Sequence, residues 1–434
     1  MLPALIAGTF DVENYGDCLF PVVAAHILGK HGIDVVSVSP TATSTRWKDS
    51  ATPRSVQSLF SEDFAFSGSL IGGGNIIHNR RDALKTYVDA GVGPTAYSSL
   101  SMGVTLASML NNRPVAWNAP GVPSRFNEME QAGLITELVN AAGYVAVRDE
   151  ASRDNLGSAV RARVSIVPDT AVELSKVWTP ALLEPFFRSL VERSGVSPSG
   201  GFVAIHVKER ALQQEVKTLA GMIDRLSSNT GLIPILVALA PCHGDDATAR
   251  SLSQKLKSPH ILLDDASSLK EIAAAIAFSD IYAGSSLHGF ITSFSYGRPG
   301  LIVGQPPLPK FAGFLAHVGR QADLVPSWEV AFQRVSQKPS PYVSGLPQNV
   351  SVALEEHWQR VTAMLRSDVA PTAALRLLRF FMRDGIEAGG LDWALEAQLK
   401  AYDPTAVRRD MMLRRLKRAV RKLPLARAIM KMRS

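Results

Sequence analysis

The sequence predicts an α/β protein with two doubly wound domains and a helical C-terminal extension. Short apolar runs typical of buried strands alternate with segments of helical periodicity up to about residue 320. A stretch rich in Pro, Ser and Gly at 182–201 reads as an interdomain linker, after which the alternation starts again. Because 434 residues exceed one typical core, we expect one domain over 1–190, a second over 200–335 and the extension over 345–434.

The first domain is predicted to open as strand, loop, helix and strand. Ala4–Thr9 is an apolar run, the polar loop Asp11–Asp17 follows, and Leu19–Leu28 has helical periodicity. The turn Gly72–Asn75 ends a later strand, and its three glycines would let another group approach the backbone, although a plain tight turn has the same composition. The other predicted elements of this half are strands at 35–38, 114–119, 144–147 and 164–167 and a helix at 128–141.

The second domain repeats this alternation. Its predicted strands are 202–207, 232–240, 261–263, 280–283 and 301–303, and its predicted helices include 212–226, 269–278 and 310–318. Phe290, Ile291 and Phe294 have helical spacing, so His288 lies where a strand gives way to a helix. The free N–H groups of a helix start attract anions, and a histidine can transfer a proton near neutral pH. The alternative is that His288 has only a structural role, with its own hydrogen bonds satisfied at the start of the helix.

Beyond residue 345 the sequence predicts helices that become increasingly basic. Residues 404–434 contain eleven Lys and Arg and one acidic residue. The whole chain has 46 basic and 39 acidic residues, so 35 basic and 38 acidic residues precede this tail. Four apolar residues between Leu413 and Leu423 share one helical face among these cations. Such a helix suits an anionic membrane surface, and a solvated, frayed tail is the alternative. Nucleic acid is not expected, because no recognised nucleic-acid module accompanies the tail.

Composition excludes several other classes of protein. An apolar share of 46% and a charged share of 20% are ordinary for a globular protein. Cys18 and Cys242 lie far apart and form neither a disulfide framework nor a metal-type spacing, which fits a reducing compartment. No apolar run approaches the roughly 20 residues of a membrane span, and the N-terminus lacks the features of a signal peptide. We expect a cytoplasmic protein that binds the inner face of the plasma membrane through 404–434.

Charged residues stand at the predicted carboxyl ends of several strands, the edge where open α/β sheets bind ligands. Arg148 and Asp169 hold such positions in the first domain, and Lys208 and Arg210 in the second. Asp17 follows the first strand, but it could equally cap the next helix, since Asp is a preferred N-cap residue.

The order of these motifs resembles the polysaccharide pyruvyl transferase family over about residues 4–320. The motifs are Asn14–Asp17, Gly72–Asn75, Val147–Ser152, Pro168–Asp169, Ser286–Gly289 and Gly297–Pro299. The resemblance implies a GT-B-like pair of Rossmann-like domains with a cleft between them. It also implies transfer of pyruvate from phosphoenolpyruvate to sugar hydroxyls, commonly as a ketal, in exopolysaccharide or cell-surface glycan biosynthesis. Many relatives carry an arginine two residues before the histidine, where this chain has Ser286.

The resemblance suggests roles for individual residues. His288 is the candidate general acid or phosphate ligand, and Asp17 the candidate base or sugar-hydroxyl anchor. Because phosphoenolpyruvate carries a carboxylate and a phosphate, its site needs several cations. The donor-binding candidates are Arg148, Lys208, Arg210, Ser286 and Lys310, with Arg298 as a further cation that its Gly-Arg-Pro turn could simply expose. The candidates on the acceptor side, either for acceptor binding or as residues of its loops, are Asn14, Tyr15, Gly73, Gly74, Asn75 and Asp169.

In this interpretation the first domain binds the acceptor, the second binds the donor, and neither a metal nor another cofactor is required. A GT-B-type glycosyltransferase that uses a nucleotide-sugar would share the architecture, and so would a non-catalytic glycan- or membrane-binding relative. A polymer repeat, a lipid-linked oligosaccharide or a small glycoside would each serve as acceptor, and the basic tail favours the lipid-linked one.

Overall fold

Two parallel β-sheets with helices on both faces build the described part of the protein. The computed structural model describes residues 2–61, 64–79, 84–196, 200–337, 342, 345–367, 389–397, 399–400 and 412. The predicted α/β class is confirmed, and the strand orders of both sheets are those of doubly wound, Rossmann-like domains.

The first sheet lies in the N-terminal half. Its described strands are β1 Ala4–Ala7, β2 Val35–Ser39, β3 Arg54–Ser55, β4 Gly68–Ile71, β5 Val115–Trp117, β6 Tyr144–Val147 and β7 Val164–Ile166. They pair in the order β3-β2-β1-β4-β5-β6-β7, with all neighbours parallel. β1 is apolar throughout because Ala4 and Ile6 face one buried layer while Leu5 and Ala7 face the other. The connections from β1 lead first to β2 and β3 on one side of it, and then to β4 and the later strands on the other side. This change of side opens a crevice between the carboxyl ends of β1 and β4.

The second sheet repeats this design. Its described strands are β8 Phe202–His206, β9 Ile233–Val237, β10 Ile261–Leu263, β11 Ile281–Gly284, β12 Gly300–Val303 and β13 Leu324–Val325. They pair in the order β10-β9-β8-β11-β12-β13, again all parallel. The corresponding crevice therefore lies between β8 and β11.

Helices connect the strands. In the first half they are α1 Tyr15–Gly29, α2 Ser58–Ser61, α3 Lys85–Asp89, α4 Ala96–Ser98, α5 Val104–Leu110, α6 Glu128–Glu130, α7 Thr136–Ala141, α8 Glu150–Leu156, α9 Leu174–Val177 and α10 Pro180–Ser194. In the second half and beyond they are α11 Val216–Thr230, α12 Asp245–Ser253, α13 Leu269–Ala277, α14 Leu287–Ser295, α15 Pro309–His317, α16 Trp328–Ser336 and α17 Gln348–Leu365. π-helical turns join α4 to α5 and α6 to α7, and 3₁₀ turns lie at Ser158–Arg163, Thr170–Glu173, Glu209–Ala211, Pro241–His243 and Gln321–Asp323.

The predicted linker at 182–201 is mostly helix, which corrects the interpretation of its Pro and Gly residues. Thr179 caps α10 through a hydrogen bond from the N–H of Leu182, Pro180 occupies the first turn, and Gly195 ends the helix at φ 66°. The helix packs against α13 of the second half. The Pro and Gly residues at its two ends therefore mark helix boundaries rather than an irregular linker.

The two halves share one hydrophobic core. Leu19 and Val23 of α1 belong to the same buried cluster as Ile272 of α13 and Leu287 and Ile291 of α14. Apolar side chains from both halves thus lie between the two sheets, beneath the two crevices.

Polar contacts at the edge of this core also cross between the halves. The N–H of Tyr15 donates to the carbonyl of Leu239 over 2.8 Å. The Asp49 carboxylate accepts from the N–H groups of Leu269 at 2.6 Å and Lys270 at 3.1 Å, at the start of α13. This places a negative charge at a helix N-terminus, where it is stabilising.

The C-terminal extension returns to the first half. Helix α17 lies on β5 and β6, where His357 Nε2 and Asn118 Oδ1 are 2.9 Å apart. Residues 389–397 and 399–400 are helical, while the predicted tail 404–434 lies outside the described residues except for Met412. Among the described helices, none is long and apolar enough to cross a membrane.

Candidate active site

A cleft of about 380 Å³ lies between the carboxyl ends of the two sheets. Its lining comes from the segments after β1, β4 and β6 on one side and after β8, β9, β11 and β12 on the other. Most predicted site residues line it: Asn14, Asp17, Gly74, Asn75, Arg148, Lys208, Arg210, Ser286, His288 and Lys310. The crevices of both sheets thus merge into one cavity.

His288 lies in the first turn of α14, with 12% of its side chain exposed. The helix begins here because Ser286 is extended, at φ −113° and ψ 133°, while Phe290, Ile291 and Phe294 are buried in the core. The Ser286 hydroxyl makes no cap hydrogen bond. The N–H groups of the first turn are therefore available to an anion in the cleft.

Asp169 lies behind the imidazole and is almost fully buried. Its Oδ2 is 3.5 Å from His288 Nε2 and 3.6 Å from Arg148 Nη1. Burial raises the pKa of Asp169, but His288 and Arg148 outweigh it and hold the pKa below the ordinary value. The carboxylate is therefore charged at neutral pH and faces the imidazole of His288. Asp169 supports the site from behind and does not line the cleft, which corrects its predicted place among the acceptor-side residues.

Two residues of α1 hold the imidazole from the other side. A Cβ added at Gly16 would overlap His288 Nδ1, so the backbone of α1 lies directly against the ring. Phe20, one turn later, meets the ring edge-on with 5.5 Å between centroids. Gly73, at φ +96°, has no Cβ and so leaves room for Phe20. Gly73 therefore supports Phe20 and does not line the cleft, contrary to its predicted acceptor-side role.

Asp17 projects from the first turn of α1 into the cleft. Its Oδ2 accepts hydrogen bonds from Thr9 Oγ1 at 2.7 Å and Asn14 Nδ2 at 2.8 Å. Gly74, at φ +73°, lies so close that an added Cβ would be 2.5 Å from Asp17 Oδ1. Because α1 begins at Tyr15 with Asn14 in the N-cap position, the alternative that Asp17 is the N-cap is wrong.

Arg148 follows β6, and only 4% of its side chain is exposed. Its Nη2 donates to Asn75 Oδ1, and its Nε lies 3.5 Å from Asp149 Oδ2. Gly121 makes room for this contact, because a Cβ there would overlap both Asn75 and Arg148. The guanidinium thus positions the side chain of Asn75 as well as facing the cleft.

Three lysine and arginine side chains of the second half complete the positive lining. Lys208 and Arg210 follow β8, and Lys310 lies in the first turn of α15. Burial lowers the pKa of Lys310 well below its ordinary value, and the charges of Lys208, Arg148 and Arg210 lower it further. Each of these cations therefore lies close enough to Lys310 to repel it. A group with two negative charges would relieve that repulsion.

Helix α15 docks the second half against the end of β6. His317 Nε2 donates to the carbonyl of Arg148 over 2.9 Å. A Cβ added at Gly313 would lie 2.5 Å from the Cβ of Asp149, so the helix backbone approaches closely. Lys310 and Arg148 come from opposite halves, and the packing of α15 against the end of β6 holds them on the same cleft.

Two other predicted site residues lie away from the cleft. Tyr15 is completely buried, and its Oη pairs with Thr292 Oγ1 at 3.0 Å. Residues two apart in a helix point to roughly opposite sides, so Tyr15 faces the core while Asp17 faces the cleft. Arg298 Nε donates to the carbonyl of Ala277 over 2.9 Å, which makes Arg298 a structural residue.

Sequence reasoning missed several residues of the site. Thr9 and His243 line the cleft, and both follow strands, so the strand-end rule that selected Lys208 could have found them. Gly16 lies inside the quoted Asn14–Asp17 motif. Tyr97 also lines the cleft, but it belongs to a segment in which the sequence predicted no element.

In the part of the chain that the structure describes, no three His, Cys, Asp or Glu side chains are grouped so that they could hold a metal ion. His243 is half-buried, and burial followed by the charge of Lys208 lowers its pKa below the ordinary value. His243 is therefore neutral at neutral pH.

Comparisons with known proteins identify a family and a fold. The family model described as polysaccharide pyruvyl transferase matches residues 14–305, more than half of the chain. A comparison with curated proteins found no match.

Among solved structures, UDP-N-acetylglucosamine 2-epimerase from Rickettsia bellii is 10% identical, with a TM-score of 0.51 over 84% of this chain and 97% of that chain. UDP-GlcNAc 2-epimerase from Neisseria meningitidis is 13% identical, with a TM-score of 0.47 over 84% and 100%. At these identities the likeness to the Rickettsia structure concerns the fold alone. Two Rossmann-like domains facing one cleft confirm the expected GT-B-like fold.

Proposed function

Because the chain belongs to the polysaccharide pyruvyl transferase family, we propose that it transfers the pyruvyl group of phosphoenolpyruvate to sugar hydroxyls of an exopolysaccharide or cell-surface glycan. One observation carries the proposal. Basic residues from both halves converge on the cleft beside His288 and the start of α14. A small molecule with a phosphate and a carboxylate needs such a set of donors.

The donor would bind against the second half. Lys208, Arg210 and Lys310 supply cations, and the first-turn N–H groups of α14 supply uncharged donors. Ser286 stands where many relatives carry an arginine, so Lys310 and the helix start would take over that contact. Arg148 reaches the same anion from the first half.

His288 would act as the general acid. A proton passes from the imidazolium to the methylene carbon of the enol, and the neighbouring carbon becomes oxocarbenium-like. The charged Asp169 carboxylate lies 3.5 Å from Nε2 and would hold the ring from behind during the transfer. Nδ1, the ring nitrogen that does not face Asp169, would give up the proton.

Asp17 would act on the acceptor. Its carboxylate takes the proton of a sugar hydroxyl as the hydroxyl oxygen bonds to the oxocarbenium-like carbon. A second hydroxyl then adds to this carbon as the carbon–oxygen bond to phosphate breaks, and the phosphate takes up the second hydroxyl proton. Asp17 returns its proton to His288 through solvent, so the products are a pyruvate ketal and inorganic phosphate.

The proposal is tested by offering the purified protein different donors with candidate glycans. We expect phosphate release from phosphoenolpyruvate and a pyruvate-sized mass gain on the acceptor. We also expect phosphoenolpyruvate to raise the melting temperature, by mass action on the folded state. Consumption of a nucleotide-sugar instead would establish a glycosyltransferase, and stabilisation without turnover of either donor would establish a binding protein. Glycans from cells with and without the protein identify the acceptor by mass spectrometry.

Gly16→Ala is expected to reduce turnover roughly 10²-fold, because a displacement of about 1 Å at a reacting group can cost that much. The added Cβ would push the His288 ring out of place. Gly29→Ala is the matched control: it lies in the same helix, and nothing lies within 4 Å of its added Cβ. Turnover and melting temperature are measured for both variants. Native turnover in a folded Gly16→Ala protein would contradict the placement of His288 as the acid.

Affinity for phosphoenolpyruvate is expected to fall as the pH rises through the lowered pKa of Lys310. The charged ammonium binds the anion, and a lowered pKa means that the proton leaves at a lower pH than from an exposed lysine. Lys310→Arg stays charged at every accessible pH and should lose this decline. Calorimetric titrations from about pH 6 to about pH 10 test the difference. Parallel pH profiles for the two proteins would exclude Lys310 from the donor site.

We further propose a lipid-linked acceptor at the cytoplasmic membrane face. Asp392, in the helical stretch 389–397, accepts from Thr95 Oγ1 over 2.7 Å, two residues before the cleft residue Tyr97. The basic tail at 404–434 follows shortly after this docked segment and would bind anionic lipid. Deleting 404–434 should abolish sedimentation with phosphatidylserine vesicles at low salt. Equal sedimentation of both forms would contradict the membrane role.

A further inference from the structure

A buried histidine–carboxylate pair lies behind the donor side of the cleft and takes no part in the mechanism above. His206 Nε2 is 2.7 Å from Asp245 Oδ2, and at most 1% of either side chain is exposed. The pair joins the end of β8 to the start of α12. Burying two ionisable groups is costly unless they are paired, so the two residues depend on each other.

The side chains of the pair connect β8 to the loop after β9. Asp245 Oδ2 also accepts from the N–H of Ala240 over 2.9 Å. Ala240 and His243 belong to that loop and both line the cleft. Burial raises the pKa of Asp245, but His206 outweighs it and the pKa is lowered, so the carboxylate is charged and His206 Nε2 donates to it.

The main chain of His206 connects β8 to the loop that enters α14. Its carbonyl accepts from the N–H of Ser285 over 3.0 Å. The hydroxyl of Ser285 in turn accepts from the N–H of Lys208 over 2.8 Å. Lys208 and Ser286, the residue after Ser285, both line the cleft. One residue thus links three loops that face the donor.

We propose that His206, held by Asp245, is a positioning residue that sets the placement of the loop after β9, and with it Ala240 and His243, around the donor. The inference rests on the proposed function, because the donor is phosphoenolpyruvate. The β8–β11 ladder consists of main-chain hydrogen bonds and does not need the imidazole. Removing the ring should therefore loosen the loop after β9, while the sheet and the main-chain contact with Ser285 stay intact.

The test compares His206→Leu with His206→Gln, whose amide N–H can still reach Asp245. We expect His206→Leu to raise the KM for phosphoenolpyruvate about 10-fold, with a smaller change in kcat, because donor binding must then order the loosened loop. His206→Gln should restore most of the affinity. His260→Leu is the matched control, because His260 pairs with Ser253 in the same half and does not line the cleft.

A native KM in folded His206→Leu, or equal losses in His206→Leu and His206→Gln, would overturn the inference. If His206→Leu does not fold, His206→Asn replaces it. The asparagine amide has the polarity of the glutamine amide but is too short to reach Asp245. Equal KM values for His206→Asn and His206→Gln would overturn the inference. If the unaltered protein does not turn over phosphoenolpyruvate, the proposed function fails. The pair is then tested by thermal shift with inorganic phosphate, where His206→Leu should weaken phosphate binding, and unchanged phosphate binding would overturn the inference.

Discussion

Replacing His288 with alanine is expected to lower kcat for pyruvyl transfer by about 10²- to 10⁴-fold, the usual contribution of a general acid. The imidazole is held by Asp169 on one side and by Gly16 and Phe20 on the other, so no other group can take its place without moving the backbone. Phosphate release with saturating phosphoenolpyruvate and acceptor measures the effect.

His288→Gln is the control for this experiment. Glutamine keeps much of the ring's volume and its hydrogen bonding but has no proton to transfer near neutral pH. The melting temperature of each variant checks that it is folded, because His288 also faces the buried carboxylate of Asp169. A glutamine variant with native kcat would mean that the side chain only binds the leaving phosphate, and would remove the acid role.

Arg148→Ala is expected to reduce the free energy of unfolding by about 3–5 kcal/mol, because it leaves the buried carboxylate of Asp149 without its cation and that of Asp169 with His288 alone. Donor affinity should fall as well, since Arg148 lines the cleft and positions Asn75. Urea unfolding and calorimetric titration with phosphoenolpyruvate measure the two effects.

The stability effect of Arg148→Ala should also depend on pH. The pKa of Asp169 is held below its ordinary value, so its ionised form adds stability that is lost as the pH falls through the folded pKa. The difference in the free energy of unfolding between the unaltered protein and Arg148→Ala should therefore narrow below about pH 4. Arg161→Ala is the control, because its ion pairs with Glu150 and Asp154 are exposed and surface pairs contribute little. Equal losses of unfolding free energy in Arg148→Ala and Arg161→Ala would contradict the conclusion that the buried ion pairs of Arg148 stabilise the fold.

The sequence was most informative where one local pattern decides the structure. The apolar runs of β1, β6, β8 and β11 predicted parallel strands because both faces of such strands are buried. It failed at α10, where Pro185 lies inside the helix and argues against one. Packing of Leu183 and Leu190 in the shared core outweighs the hydrogen bond that Pro185 cannot make, and this packing depends on α13, about 80 residues away.

The candidate site shows the same division. The strand-end rule located Arg148, Lys208 and Arg210, since parallel strands bring their carboxyl ends to one edge. It could not separate Tyr15 from Asp17, because the helix start that turns one inward and the other outward comes earlier than the periodicity indicated. The His206–Asp245 pair joins residues 39 apart, and only the pairing of β8 with β9 brings them together.

The apolar core that α1 shares with α13 and α14 has a consequence for the order of substrate binding. Separating the halves would expose that core, at a free-energy cost of about 25 cal/mol for each Å² of apolar surface. It would also break the hydrogen bond between the N–H of Tyr15 and the carbonyl of Leu239. The cleft is therefore a preformed slot, and neither substrate has to close it for the other. Donor and acceptor should enter independently, which gives intersecting double-reciprocal plots and a random-order rate law.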